Sequence, residues 1–529
     1  MRFQLLHKAK PARIFRTFSG VFVLALISAS CSDSSATSAE HCDVADCQGS
    51  VLDAAADSEL RPEDTGNVDE FVAAHTIPWP SADVFERLRV PCRFLLPDDA
   101  VPVENADSPD SDTVWCLDIV HPEDGMGVHV AVFAPATRLP SLLPVVVLQG
   151  GPGLLGDSWL PFQSAAIRAA RFGSHPWIYV EQRGIGQALP SLTCEPGEPL
   201  VTCAEERGIR LSRLGSDLAA EDILLVLDAL EQDATLLAAG SYGTRLAAEV
   251  ARQAPDRVAG MYLESWIPPD ESFLVPMAEA TANTWRSLVE SCEADPQCPV
   301  VAPAETLARA VERLEQPALV ILPSGGRLTP RVLGQLLIEA MYHADWLPGI
   351  LTALDGLAGT DEERFIESVE TFDEWRRRPP QVTAARYQAT ACTDFAFIHS
   401  AEQFQLALNE LQEPLRSTVA GFSALFAPCE PLGIEPIGAE ATRIGDYGGP
   451  VRLLVPGWDS RSGESRAAEL LLRWPQTQRV DAPRRAHTPG LGFQDEGRTP
   501  DPCAMSQLRT FLDDPLSEPL TCWDDGMNP

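Results

Sequence analysis

A doubly wound α/β fold is predicted for this chain, with a mostly parallel sheet interrupted by one long helical insertion. Two observations carry that prediction. Short apolar runs ending in Gly- or Pro-bearing turns alternate with stretches of helical periodicity in both flanks of the chain. Between Pro268 and about Asp446 strand signals give way to helical ones. In order, Thr113–Val120, a turn at Glu123-Asp124-Gly125 and Val128–Phe133 read as a hairpin that opens the sheet. Strands follow near 143–149 and 176–180, and Ser216–Leu230 reads as a helix with Ser216 as its N-cap. Strands near 235–239, 259–264, 451–455 and 478–482 complete the sheet. Inside the insertion, Glu279–Glu290, Ala304–Leu314, Arg331–Tyr342 and Ala401–Leu411 read as helices. Trp285, Trp346, Trp375 and Phe395 could line a space beneath them, but helical aromatics more often build a core, so none is assigned a role. The expected organisation is a signal segment over 1–30, a flexible acidic tether over 31–70, a core over 71–267, a helical cap over 268–446 and the rest of the core over 447–529. No internal repeat, P-loop or dinucleotide fingerprint is present.

Chemistry concentrates where apolar runs end. Ser241 lies in Ala239-Gly240-Ser241-Tyr242-Gly243-Thr244, after the run Thr235–Ala239 and before the helix-like stretch Thr244–Val250. A strand, a sharp turn at a serine between small residues, and a helix form the nucleophile elbow of α/β-hydrolases. Upstream, Leu143–Leu148 empties into Gln149-Gly150-Gly151-Pro152-Gly153. Glycines there let the main chain approach a substrate carbonyl, so the N–H of Gly151, or of Gly150, is a candidate oxyanion donor beside that of Tyr242. Downstream, Asp459 follows the apolar run Val451–Val455, and of the nine histidines His487 alone lies C-terminal to it. The order Ser…Asp…His is the one this fold uses. A serine hydroxyl needs a base: His487 would take its proton and then protonate the leaving group, while Asp459 holds the imidazole tautomer. Such chemistry needs no cofactor or metal.

These segments also resemble a family. Gln149–Gly153 is similar to the HGGPG-type loop of prolyl iminopeptidases and secreted tripeptidyl aminopeptidases, with Gln149 in place of the histidine. Glu181-Gln182-Arg183-Gly184-Ile185-Gly186 resembles their D-Q-R-G-x-G segment, with Glu181 for the aspartate. Gly240–Thr244 matches their elbow, preceded here by Ala239 rather than glycine, and the tail from Cys503 to Cys522 resembles that of the secreted branch. The resemblance spans roughly 115–525. It implies an enzyme that removes residues from the free amino end of short peptides. A carboxylesterase with the same triad and a non-catalytic binding protein on the same fold are the alternatives. Acidic side chains hold the substrate ammonium in that family, and Glu264, Asp270 and Glu271 are candidates.

The net charge of −36, from 76 acidic and 40 basic residues, lacks the basic footprint that nucleic-acid binding needs. Basic residues precede the apolar stretch Val21–Ile27, then Ser28-Ala29-Ser30 and Cys31. This reads as an export signal, with Cys31 as a bacterial lipidation site, so that the lipid is the only expected link to a membrane; a plain secretory signal is the alternative. Of thirteen cysteines, Cys31 on lipid leaves twelve, an even number suited to an oxidising compartment. Sequence-local pairing suggests Cys92–Cys116, Cys194–Cys203, Cys292–Cys298, Cys392–Cys429, Cys503–Cys522 and Cys42–Cys47, although spacing alone does not fix connectivity. A metal reading of Cys42 and Cys47 lacks a second ligand pair nearby.

Overall fold

The computed structural model describes residues 82–96, 101–102, 112–135, 142–160, 163–195, 197–271, 273–316, 320–343, 346–376, 384–395, 401–437, 442–463, 465–492 and 500–523. The signal segment, the tether, Cys31, Cys42 and Cys47 lie outside them. Ten strands form one sheet: β1 (Arg89–Val90), β2 (Val101–Pro102), β3 (Thr113–Val120), β4 (Gly127–Ala134), β5 (Val145–Leu148), β6 (Trp177–Glu181), β7 (Thr235–Gly240), β8 (Val258–Glu264), β9 (Val451–Pro456) and β10 (Thr477–Ala482). Their order is β1-β3-β4-β6-β5-β7-β8-β9-β10, with β2 beside β3. The hairpin β3–β4 is antiparallel, β4 meets β6 antiparallel, and from β6 to β10 every pairing is parallel. Strands β5, β7, β8 and β9 are buried along their whole length, as expected of parallel strands covered on both faces.

Alternation along these strands feeds two cores. Val146, Leu148, Leu237, Ala239 and Leu263 pack on one face, and Val145, Val147, Leu236, Ala238 and Tyr262 on the other. A third core, around Leu274, Leu307, Leu337, Leu354 and Leu415, belongs to the helices between β8 and β9. That insertion includes Leu274–Ala294, Pro303–Glu315, Pro330–Tyr342, Leu347–Ala358, Glu362–Arg376, Ala384–Thr390 and Ala401–Leu408. The first begins earlier than its apolar period indicates, and the last stops at Leu408, short of Leu411.

Ser216 is not an N-cap. Gly215 holds that position, and the helix Ser216–Ala229 has no side-chain cap. The carboxylate of Asp394, reaching over from the insertion, accepts the Ser216 N–H at 3.1 Å instead. The disulfides Cys92–Cys116, Cys194–Cys203, Cys292–Cys298, Cys392–Cys429 and Cys503–Cys522 are all formed. Among the described residues no helix is long and apolar enough to cross a membrane.

The loop after β6 is locked by charge. Arg183 is fully buried and donates to both Asp222 oxygens, Nε at 2.7 Å and Nη2 at 2.6 Å, and from Nη1 to Asp124 at 3.0 Å. Asp222→Ala would leave the guanidinium buried without its bidentate partner, which typically costs about 3 kcal/mol or more. Denaturant unfolding checks this, and an unchanged midpoint would contradict it.

Candidate active site

Strand β7 is central, paired in parallel with β5 on one side and β8 on the other. Directly after it, Ser241 takes φ 57° and ψ −130°, left-handed backbone that a serine adopts only under constraint. Its N–H donates to the Glu264 carbonyl at the end of β8 at 2.9 Å, and the helix Tyr242–Gln253 then begins. Close packing enforces the turn. A Cβ on Gly243 would stand 2.0 Å from the Leu148 carbonyl oxygen. Ala239, where the elbow pattern has its first glycine, is fully buried in the core that also holds Leu148, Leu237 and Leu246.

The loop after β5 faces the serine. A Cβ on Gly150 would come within 2.9 Å of the Ser241 Cβ and 3.4 Å of its Oγ. Gly151, with φ +109°, carries the next N–H. Neither this N–H nor that of Tyr242 has a hydrogen-bond partner among the described residues. The buried carboxylate of Glu181 ties this loop to the one after β6, accepting from Gly156 N and Gln187 N, each at 2.8 Å.

Asp459 and His487 are brought together. His487 Nδ1 lies 2.9 Å from both Asp459 oxygens, and both side chains are wholly buried. Asp459 also accepts Arg461 N at 2.8 Å, Ser462 N at 3.2 Å and the Ser462 hydroxyl. Burial alone would raise this carboxyl, but the His487 imidazole and these donors hold it well below the ordinary carboxylate range. An ionised Asp459 keeps the proton of a neutral imidazole on Nδ1 and leaves Nε2 free to accept. That Nε2 is buried with no partner among the described residues.

The histidine loop runs past the elbow: a Cβ on Gly240 would lie 3.0 Å from Thr488 Cγ2. Glu264 fixes that loop, accepting Gly490 N at 3.0 Å, Leu491 N at 2.9 Å and the Tyr262 hydroxyl at 2.9 Å. It is therefore spent inside the protein and not free for a substrate ammonium. Of the other two candidates, Glu271 is paired with Arg466 at 2.6 Å, while Asp270 keeps one buried oxygen without a partner among the described residues.

The insertion supplies groups that no sequence signal marks. Asp394, fully buried, accepts the Tyr242 hydroxyl at 3.2 Å, and its carbonyl accepts Arg245 Nη2 at 3.0 Å. Tyr342, the last residue of Pro330–Tyr342, stacks on His487 with centroids 4.3 Å apart. Of the insertion aromatics, Trp285, Trp346 and Phe395 are buried, and the Trp375 side chain is outside the described set.

Residues 144–319 match the sequence pattern described as the alpha/beta hydrolase fold. YuaR of Escherichia coli (strain K12), whose name carries the word hydrolase, is 25% identical over 178 residues, taking in 30% of this chain and 35% of that protein. The matched chain thus spans about a third of that relative's length. A thermophilic esterase from Thermogutta terrifontis is similar at 14% identity and a TM-score of 0.32, covering 71% of this chain and 92% of that one. An alpha/beta hydrolase fold protein from Chitinophaga pinensis is similar at 13% identity and a TM-score of 0.33, covering 72% and 92%. The strand order and the matched segment give this chain the α/β-hydrolase fold.

Burial pushes Glu264 up from 4.5 to about 7, overcoming the hydrogen bonds it accepts. A carboxyl raised on folding binds more protons in the native state, so stability falls as pH rises from the unfolded value toward the folded one. Glu181 and Glu271 move the same way, while His129 and His175, lowered by burial, act in the opposite sense. The difference between the parent and Glu264→Gln isolates one group: the parent should lose stability relative to the variant between about pH 5 and about pH 7. Denaturant unfolding across that range measures it, and a flat difference would refute the assignment.

Proposed function

We propose that this hydrolase of the α/β fold is an exported serine peptidase that releases residues from the free amino end of short peptides. One observation carries the reading: a serine held at left-handed φ beside the Gly150–Gly151 loop, with a buried Asp459–His487 pair on the strand-end loops that pass it. In this reading Ser241 attacks the scissile carbonyl as His487 Nε2 takes its proton. Asp459 stabilises the imidazolium, and the N–H groups of Gly151 and Tyr242 receive the oxyanion. The imidazolium then protonates the departing amine, and water repeats the sequence on the acyl-enzyme.

Support for a peptide substrate comes from the Gly150–Gly153, Gln182–Gly186 and Gly240–Thr244 segments together with the helical insertion. Tyr342 from that insertion stacks on His487, and a cap over that side would favour the end of a chain over its middle. The disulfides fit an oxidising compartment, and Cys31 would anchor the mature chain through lipid.

Chromogenic substrates test the proposal: free and N-blocked Pro-, Ala- and tripeptide-anilides beside simple aryl esters. Cleavage of anilides only when the amino end is free is the expected result. Ester turnover without anilide cleavage would replace the peptidase by an esterase. Ser241→Ala should lower kcat by at least ~10⁴-fold with the fold intact, and full activity in that variant would remove Ser241 from the mechanism.

A further inference from the structure

The insertion does more than roof the site; one of its helices grips the loops of both His487 and Asp459. Glu339 and Tyr342 sit three residues apart on Pro330–Tyr342 and so share a face of that helix. Glu339 accepts Arg461 Nη2 at 2.8 Å, and the backbone N–H of the same Arg461 donates to Asp459 at 2.8 Å. Tyr342 lays its ring on the imidazole of His487, with centroids 4.3 Å apart and planes 28° from parallel. The Arg461 guanidinium lies 5.5 Å from the centroid of that ring, and His343 meets it edge-on at 4.9 Å. The ring is thereby held from more than one direction.

We infer that Tyr342 is a positioning residue for His487, its ring fixing the plane of the imidazole and with it the direction in which Nε2 points. This rests on the serine-hydrolase reading above. Among the described residues the imidazole has a hydrogen-bonded anchor only at Nδ1, where both Asp459 oxygens lie within reach. Hydrogen bonds along that one edge leave the ring able to tilt about the line joining it to the carboxylate. A flat aromatic neighbour opposes that tilt. It also presents its negative π face to the imidazolium that forms as Ser241 attacks. The ring and not the hydroxyl does this, so the inference separates from any role for a phenol proton.

The test is the second-order rate at which a fluorophosphonate labels Ser241, together with kcat and KM for the best substrate of the panel. Tyr342→Leu removes the ring and keeps an apolar side chain. It should slow labelling and lower kcat by the same factor, roughly 10- to 100-fold, as expected when a catalytic group loses its alignment, with KM changed little. Tyr342→Phe should recover the loss. Tyr342→Met, whose flexible unbranched side chain fills irregular space, gives the same comparison should the leucine variant not fold. Leucine and methionine variants labelled at the parent rate would overturn the inference and leave the hydrolase reading standing. A phenylalanine variant as slow as leucine would also overturn it, since the hydroxyl would then be the working group. A parent that is not labelled at all would overturn the hydrolase reading, and this inference with it.

Discussion

One buried carboxylate ties the two halves of the candidate site to the sheet. Glu264 ends β8, and its backbone carbonyl accepts the Ser241 N–H while its side chain accepts two N–H groups of the loop that follows His487. A single residue thus sets where the serine turns and where the histidine loop returns, although Gly490 lies 226 positions beyond it in sequence. Burying an anion is costly unless donors surround it. Here Gly490, Leu491 and Tyr262 donate and the buried Arg171 guanidinium is a nearby positive charge, which offsets that cost only in part, since burial still raises the carboxyl to about 7. Backbone strain gathers at the same place, since Ser241, Ser265 and Thr488 all have positive φ, and the Ser265 hydroxyl accepts the Thr488 N–H. Strain of this kind persists only where surrounding contacts over-determine it.

The helical insertion is joined to this centre at two points of different chemistry. On the serine side the link is polar. Asp394 binds the Tyr242 hydroxyl and the start of the helix Ser216–Ala229, and Arg245 spans from Asp394 to the Pro268 and Pro269 carbonyls where the insertion begins. The Arg245 guanidinium also lies 4.5 Å from the Phe395 ring centroid. On the histidine side the link is largely a stack, Tyr342 on His487, with Arg461 and Glu339 beside it. The first fixes a buried charge network; the second sets one ring plane against another. Removal of the ring and removal of the carboxylate are therefore expected to act on different properties, alignment in one case and stability in the other.

Strands and elbow were legible in the sequence because their signals are local. Strands buried on both faces are nearly all apolar, so Val145–Leu148 and, apart from the buried Arg452, Val451–Val455 stand out without any knowledge of their neighbours. The turn at Ser241 demands small residues at fixed offsets, and Gly243 shows why, with the Leu148 carbonyl where its side chain would be. Cysteines close in sequence found each other because a short loop costs little entropy to close. Ser216 reads as a cap from its residue type, but Gly215 takes that position, and the Ser216 N–H, one of the orphan donors of the first turn, is held by a carboxylate from far along the chain.

Sequence alone therefore determined the α/β class, the place of the helical insertion, the serine turn and the order in which Ser241, Asp459 and His487 occur. Tertiary structure alone decided which carboxylates are free and which are spent. Glu264 stood as a candidate for a substrate ammonium and became an internal anchor, while nothing in the sequence marked Asp394 or Tyr342 as part of the site. The physical reason is that such roles are set by desolvation and by contacts between residues brought together from distant parts of the chain, such as the 152 positions separating Tyr242 from Asp394. Periodicity and turn chemistry record what a segment does with its own backbone. They hold no record of which distant side chain will lie against it.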